Sequence, residues 1–332
     1  MARHSAAGSR KTVALGMVLL LAVAACGGGG TAPAAQTGSS LAAPVAIKVG
    51  DVEGAPASFI AFGVQKGIFA EHRLTVELVV QQGGAAIIPN LVSGQMQIGG
   101  SNIVSVLLAR GTGLPVKIIA PGTAVGSDPN TDFSAVIVAP DSPITTPTAL
   151  AAKKIAVNTL KNVSEVALKA SLEASGVDIA EIKLVELPFP SMLAALERHQ
   201  VDAAFVIEPF VTMARSQGAR LLIRPYVQAK KNLGVGTYSA TEQYIQQNPA
   251  VIKAFQAAAA QTARYITEHP DEYRAALPTI AKLQPDLAPT VNIPVWSERV
   301  DTDSLRFLAD RMISYGMLRN APDIDAAVYP SP

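Results

Sequence analysis

The sequence predicts an α/β protein with two lobes, each built on a mostly parallel β-sheet that helices cover on both faces. Over the first third of the chain, short apolar strand patterns alternate with helix patterns, and a second copy of this alternation opens at 153–157. Such alternation is typical of parallel sheets covered on both faces. From about residue 241 onward the pattern is helical, which indicates a helical return that completes the first lobe.

Length and composition agree with a globular protein of this kind. The chain has 332 residues, which is enough for about two domains. It is 49% hydrophobic and 16% charged, with a formal net charge of +1. A net charge so close to zero gives no reason to expect a nucleic-acid partner.

The first 25 residues have the pattern of a targeting segment. Arg3, Arg10 and Lys11 precede an apolar stretch that is too short for a transmembrane helix and ends in small residues before Cys26. This junction resembles the bacterial lipobox, which implies that residues 1–25 are removed and that Cys26 is diacylated. The protein would then be held by lipid on the extracytoplasmic face of the cell membrane. An ordinary secretory signal with an incidental cysteine is the alternative.

The residues after Cys26 are expected to form a tether. Residues 26–44 are rich in Gly, Ala, Pro, Ser and Thr, so they offer little to pack and favour a flexible linker. Cys26 is the only cysteine of the chain, which excludes a disulfide within it. The globular part is expected to begin near Val45.

Alternation, proline and glycine positions predict the elements that follow. Strands are expected at Val45–Gly50, Leu74–Val80, Gln97–Gly100, Val116–Ala120, Phe133–Val138, Lys153–Val157, Ile182–Glu186, Val201–Ile207, Arg220–Ile223 and Val235–Ala240. Helices are expected at Ser58–Lys66, Ile87–Val92, Ile103–Leu108, Val163–Ser175, Ser191–Glu197, Phe210–Ser216, Thr241–Gln247, Pro249–His269, Pro270–Leu277 and Asp301–Tyr315. The tail from Arg319 is expected to be loosely held.

The chain is expected to cross twice between the lobes, near Val136–Val138 and near Ile223–Tyr238. The first lobe would then comprise 45–137 and 234–332, and the second lobe 138–233. A ligand is expected in the cleft between them, because ligands of open α/β sheets bind outside the carboxyl ends of strands.

Three short segments each follow a predicted strand and begin the next predicted helix. They are 83–85, 101–102 and 158–162. Free N–H groups at helix starts suit anionic or carbonyl groups, and glycine keeps the backbone accessible. Helix capping is the alternative role for these Ser, Asn and Gly residues.

Two acids at predicted strand ends favour a different kind of ligand. Glu53 follows the first strand, and Glu208 ends the strand that Pro209 stops. Two carboxylates in a cleft would favour an amine, an amidine or an aminopyrimidine. The alternative is that each acid is exposed or paired with Arg or Lys. Tyr238 could line the cleft as well.

Several sequence segments, taken in their order along the chain, resemble the motifs of one known family. Gln65–Phe69, Leu91–Gly99 and Ala195–Pro209 are similar to motifs of the substrate-binding lipoproteins of ABC importers for nitrate, sulfonates, taurine and thiamine precursors, and the likeness extends over 46–275. It implies a type II periplasmic-binding fold that closes on a small solute, a permease and an ATPase as partners, a monomer and no cofactor. The solute would be aminopyrimidine-like or an anion of the sulfonate, taurine or nitrate type.

With this resemblance, the expected ligand-contacting residues are Glu53, Gly83, Gly84, Ala85, Ser101, Asn102, Asn158, Thr159, Asn162, Glu208 and Tyr238. No catalytic residue and no metal ligand is expected, because the sequence has no zinc-protease, nucleophile-elbow or P-loop motif. Two alternatives remain. One is a single-turnover enzyme like the thiamine-pyrimidine synthases, although their Cys-rich motif is missing here. The other is a ligand-sensing surface lipoprotein.

Overall fold

Residues 41–330 are described by a computed structural model of the protein. The predicted signal peptide, Cys26 and the tether up to residue 40 lie outside the described residues. Within 41–330, no helix is long and apolar enough to cross a membrane.

The strands are β1 (Val45–Val52), β2 (Leu74–Gln81), β3 (Ile98–Asn102), β4 (Val116–Pro121), β5 (Thr123–Ala124), β6 (Ser134–Val138), β7 (Lys154–Val157), β8 (Lys183–Glu186), β9 (Ala203–Ile207), β10 (Arg220–Ile223), β11 (Gly236–Thr241) and β12 (Val295–Trp296). The helices are α1 (Ala55–Gln65), α2 (Ile68–Glu71), α3 (Gly84–Val92), α4 (Ile103–Gly111), α5 (Val163–Ala174), α6 (Phe189–Glu197), α7 (Phe210–Ser216), α8 (Pro225–Ala229), α9 (Glu242–Gln247), α10 (Pro249–Glu268), α11 (Pro270–Ile280), α12 (Thr302–Ser314) and α13 (Ile324–Ala327).

Two five-stranded sheets define the two lobes. The first sheet has the order β2-β1-β3-β11-β4, and the second has the order β8-β7-β9-β6-β10. In each sheet four strands run in one direction, and the fourth strand of the order, β11 or β6, runs antiparallel to both of its neighbours. The two sheets therefore match strand for strand, and the prediction of mixed, mostly parallel sheets in two lobes is confirmed.

The antiparallel strand of each sheet is the one that the chain forms as it enters from the other lobe. β6 follows the first-sheet strands β1–β4, and β11 follows the second-sheet strands β7–β10. The crossing segments are thus 125–133, before β6, and 224–235, before β11. The first crossing lies N-terminal to the segment at which the sequence predicts it.

Apolar side chains at helical spacing fix the helices against the sheets. In α10, Val251, Ile252, Phe255 and Ala259 are all buried, so one face of this long helix packs into the core of the first lobe. Proline in its first turn favours helix initiation. These features explain why the sequence predicts α10 within one residue of its observed end.

The C-terminal tail is not loosely held, so that expectation is wrong. The backbone N–H of Tyr329 donates to the carbonyl of Ile118 at 2.8 Å, and Val328 forms a parallel bridge to the same residue. Ala327, in α13, is completely buried. The reason is that β4 lies at the edge of the first sheet and offers unpaired backbone groups, which the tail satisfies.

Candidate functional site

A cavity of about 40 Å³ lies where the ends of the two sheets face each other. The carboxyl ends of β1 and β3 reach it from the first sheet, and those of β7 and β9 reach it from the second. We call this space the interlobe cavity. Its lining residues are Val52, Pro56, Ser101, Asn102, Thr123, Phe133, Asn158, Asn162, Val163, Ser164, Phe189, Ile207, Tyr226, Val235 and Gly236.

Ser101 and Asn102 bring the start of α4 to the cavity. Asn102 caps the helix, since its Oδ1 accepts from the backbone N–H of Ser105 at 2.9 Å. The same oxygen accepts from the N–H of Val163, at the start of α5, at 3.3 Å, which joins the two lobes. Ser101 is 6% exposed, and its Oγ has no hydrogen-bond partner among the described residues. A buried hydroxyl without a partner is a group that a ligand can satisfy.

Asn158, Thr159 and Asn162 form a hydrogen-bonded loop before α5. Asn162 caps α5 by accepting from the N–H of Glu165 at 3.2 Å. Its Nδ2 donates to Asn158 Oδ1 and to Thr159 Oγ1, each at 2.8 Å. Asn158 and Asn162 line the interlobe cavity, whereas Thr159 lies beside it against Gly83. The network holds the start of α5 rigidly toward the first lobe.

The segment before α3 closes against this loop. Gln82 Nε2 donates to the carbonyl of Asn158 at 2.6 Å, and Asn158 Nδ2 donates to the carbonyl of Gln82 at 2.9 Å. A Cβ at Gly83 would lie 2.8 Å from Thr159 Cγ2, and one at Gly84 would collide with Ser101 Oγ. Both glycines are therefore needed for close approach. Ala85 is exposed and lies outside the cavity lining.

Glu208 is buried, but its side chain turns away from the interlobe cavity. Its carboxylate accepts from the N–H and the hydroxyl of Thr212, both at 3.1 Å, and from the N–H of Asn292 at 3.3 Å. Burial raises the pKa of Glu208 to about 7, and these hydrogen bonds oppose that rise. Its backbone carbonyl accepts from the N–H of Ala55 at 2.8 Å, so Glu208 contacts the start of α1 as well.

Glu53 and Tyr238 also lie outside the lining of the cavity. Glu53 is half-buried; partial burial raises its pKa, and the positive charge of Lys282 lowers it. Tyr238 packs in the core of the first lobe, and its hydroxyl donates to Asp51 Oδ2 at 3.0 Å. Asp51 is fully buried, and this burial raises its pKa to about 7.

Several lining residues were not anticipated from the sequence. Phe133 and Gly236 stand at the amino ends of β6 and β11, and they face the cavity because these two strands are antiparallel to their neighbours. Tyr226 belongs to α8, a helix in a segment where the sequence pattern predicts neither a helix nor a strand. The pKa of Tyr226 is raised by burial, so its hydroxyl stays protonated.

The described lining residues of the interlobe cavity include no Asp, Glu, Lys, Arg or His. Histidines 72, 199 and 269 are also absent from it. In the part of the chain that the structure describes, no group of three or more His, Cys, Asp or Glu residues could hold a metal ion. The cavity therefore offers hydroxyl and amide groups, two helix starts and apolar walls as its binding chemistry.

A family model described as NMT1/THI5 like matches residues 57–273. The chain belongs to this family. The resemblance stated from the sequence motifs is thereby confirmed.

Two relatives of known binding activity are similar in sequence. The taurine-binding periplasmic protein of Escherichia coli (strain K12) is 25% identical over 213 residues, 64% of this chain and 64% of the relative. The chain thus spans less than two thirds of that protein. The formylaminopyrimidine-binding protein of Halalkalibacterium halodurans is 24% identical over 263 residues, 77% of this chain and 73% of the relative.

Solved structures of other proteins share the fold of this chain. The alkanesulfonate-binding protein SsuA from Xanthomonas axonopodis pv. citri has a TM-score of 0.73 at 18% identity, over 87% of this chain and 99% of that chain. The nitrate-binding protein NrtA from Synechocystis PCC 6803 has a TM-score of 0.70 at 16% identity, over 85% of this chain and 84% of that chain. These likenesses confirm the periplasmic-binding fold.

Proposed function

We propose that this protein is the substrate-binding component of an ABC importer, which captures a small solute between its lobes and delivers it to a permease. The observation that carries the proposal is the interlobe cavity, where the unpartnered hydroxyl of Ser101 lies at the start of α4. The binding activities of the taurine- and formylaminopyrimidine-binding relatives support it. We further propose that the protein binds its ligand without catalytic turnover.

The uncharged lining favours an anion over a cation. Neither Glu53 nor Glu208 reaches the cavity, and among the described residues no carboxylate lines it to pair with an amine. The starts of α4 and α5 instead present the positive ends of helix dipoles, which stabilise negative charge. We therefore place an oxyanion of the nitrate or sulfonate type ahead of an aminopyrimidine.

The size of the cavity limits the ligand that the described arrangement can hold. Its volume of about 40 Å³ corresponds to roughly three water molecules, at about 10–15 Å³ each. A molecule of a few non-hydrogen atoms would fit without further opening. The apolar side chains of Phe133, Phe189 and Ile207 would accept a short alkyl group but no charged one.

Isothermal titration calorimetry against nitrate, methanesulfonate, taurine and formylaminopyrimidine tests this proposal. We expect a saturable heat at one ligand per protein for an anion, and a weaker heat or none for formylaminopyrimidine. Tight binding of the pyrimidine alone would overturn the anion assignment. A catalytic product in the same samples, detected by mass spectrometry, would overturn the binding-only function.

The lipid anchor is a separate proposal that rests on the lipobox-like sequence before Cys26. Diacylated Cys26 would keep the protein at the extracytoplasmic face of the membrane, near its permease, as a monomer. Cells fed an alkyne-tagged palmitate should label the wild-type protein and not the Cys26→Ser variant. Equal labelling of both proteins would remove the anchor from Cys26.

A further inference from the structure

Gln82 and Asn158 exchange two hydrogen bonds between the lobes. Gln82 follows β2 in the first lobe, and Asn158 follows β7 in the second. Gln82 Nε2 donates to the carbonyl of Asn158 at 2.6 Å, and Asn158 Nδ2 donates to the carbonyl of Gln82 at 2.9 Å. We call these two hydrogen bonds the interlobe pair. Because each residue uses both its side-chain amide and its backbone carbonyl, the pair forms only when the two loops lie side by side.

The two crossing segments are hydrogen-bonded to each other. The N–H of Val125 donates to the carbonyl of Leu233 at 3.0 Å, and the N–H of Asn232 donates to the carbonyl of Gly126, also at 3.0 Å. The crossing segments therefore form one paired connection, about which the lobes can rotate as rigid bodies.

The interlobe pair lies far from this connection. The crossing segments join β5 to β6 and β10 to β11. In the first sheet, β2 is the edge strand at the opposite end of the order from β11 and β4, and in the second sheet β9 separates β7 from β6. A rotation about the crossing segments moves the most distant groups furthest, so it breaks the interlobe pair. These hydrogen bonds therefore favour the arrangement in which the lobes are in contact.

The side chain of Asn158 is oriented by its own lobe. Its Oδ1 accepts from Asn162 Nδ2 at 2.8 Å and from Ser164 Oγ at 3.1 Å, so its Nδ2 points to the carbonyl of Gln82. Asn158 is 4% exposed and lines the interlobe cavity, whereas Gln82 is partly exposed and stands outside the described lining. Gln82 can therefore stabilise the contact between the lobes without touching a solute in the cavity.

We propose that Gln82 is a positioning residue for solute capture, which raises the affinity for every solute by the same factor because it holds the lobes in contact. This inference rests on the proposed function as a solute-binding protein. A side chain that contacts the solute changes the affinities of different solutes by different factors. A side chain that acts only on the equilibrium between arrangements of the lobes scales all of these affinities equally.

Pulsed electron paramagnetic resonance between one spin label on each lobe measures this equilibrium in the absence of added solute. The full chain with Cys26→Ser would carry Ser93→Cys in the first lobe and Lys183→Cys in the second, both at exposed positions. Since Cys26 is the only cysteine of the chain, the two introduced thiols are the only labelling sites. The labels then report the distribution of distances between the lobes.

Substitutions at Gln82 should lengthen this distance. Gln82→Ala removes the donor to the carbonyl of Asn158, so the population at longer distances should grow. Gln82→Glu should increase this population further, because a carboxylate oxygen would face the same carbonyl in place of an N–H. Gln95→Ala, at an exposed glutamine of the same lobe, should keep the wild-type distribution. Unchanged distributions in both Gln82 variants would overturn the proposal.

Calorimetry with methanesulfonate and nitrate tests the effect on affinity. Gln82→Ala should weaken the binding of both anions by the same factor, about three- to tenfold, which is the loss expected from one net hydrogen bond. A loss confined to one anion would place Gln82 in contact with the solute and contradict the positioning role. Failure of the wild-type protein to bind either anion would count against the proposed anion-binding function, and the label distances would still decide the role of Gln82.

Discussion

The ends of β3 and β9 occupy the same place in the two matching sheets, but they use their polar groups differently. At the end of β9, every carboxylate contact of Glu208 is made within the protein, to Thr212 and Asn292. At the end of β3, the hydroxyl of Ser101 is buried without a partner among the described residues. The comparison shows one strand end whose polar side chain is fully hydrogen-bonded within the protein and an equivalent one whose hydroxyl is not, and we propose that the second binds the ligand.

The largest expected effect is on stability as a function of pH. Burial raises the pKa of both Asp51 and Glu208 to about 7 in the folded state, above their ordinary values. The folded protein then binds protons more tightly than the unfolded chain, so this stabilisation is present below about pH 4 and is lost as the pH rises through 7. We expect the free energy of unfolding to fall by on the order of 6 kcal/mol between pH 4.5 and pH 8.

Urea denaturation at several pH values measures how the free energy of unfolding depends on pH, and Asp51→Asn should reduce this dependence. Ligand affinity should behave differently, because the described lining of the interlobe cavity contains no titratable carboxylate. The affinity for methanesulfonate, a strong-acid anion, should change less than about threefold over the range in which the protein stays folded. A pH-dependent affinity that follows the stability curve would place a carboxylate in the site.

The next effect concerns the hydrogen bonds by which Glu208 stabilises the fold. Glu208→Ala would leave the N–H and hydroxyl of Thr212 and the N–H of Asn292 without their acceptor. We expect a loss of about 3 kcal/mol in the free energy of unfolding at pH 6. Glu208→Gln keeps only one of the two accepting oxygens and should cost roughly half as much, about 1–2 kcal/mol. Wild-type stability in the alanine variant would show that these hydrogen bonds of Glu208 do not stabilise the fold.

Closure of the lobes can be tested at Gly83. In Gly83→Ala the new Cβ would lie 2.8 Å from Thr159 Cγ2, so the variant should disfavour the closed state. We expect ligand affinity to fall about tenfold, equivalent to about 1.4 kcal/mol, with little change in fold stability. Gly126→Ala is the matched control, since its Cβ would meet no heavy atom within 3.8 Å. Equal affinities in both variants would show that this contact does not limit closure.

Much of the fold follows from patterns that the sequence displays. The alternation of strands and helices predicts both sheets, and Asn102 and Asn162 cap α4 and α5 as their positions indicate. Strand direction is not encoded in such patterns. The cavity contacts of Phe133 and Gly236 depend on the antiparallel direction of β6 and β11, and therefore could not be predicted.

Side-chain direction is the second feature that the sequence pattern does not predict. Glu208 stands at the end of a strand, as the sequence indicates, but its carboxylate turns to the first turn of its own following helix, α7. Tyr238 alternates into the core of the first lobe, where Phe59 and Phe255 surround it. Which of two faces a strand residue takes depends on register, and register is set by pairing across the sheet.

The smallest expected effect provides the most direct test of the central claim, which is that the end of β3 binds the ligand. Ser101→Ala and Ser239→Ala each remove a buried hydroxyl that has no partner among the described residues, but only Ser101 lines the interlobe cavity. Calorimetric titration with the anion that binds the wild-type protein most tightly should show a five- to tenfold loss of affinity, about 1 kcal/mol, in Ser101→Ala. Ser239→Ala should bind within twofold of wild type. Equal affinity in the two variants would contradict the account.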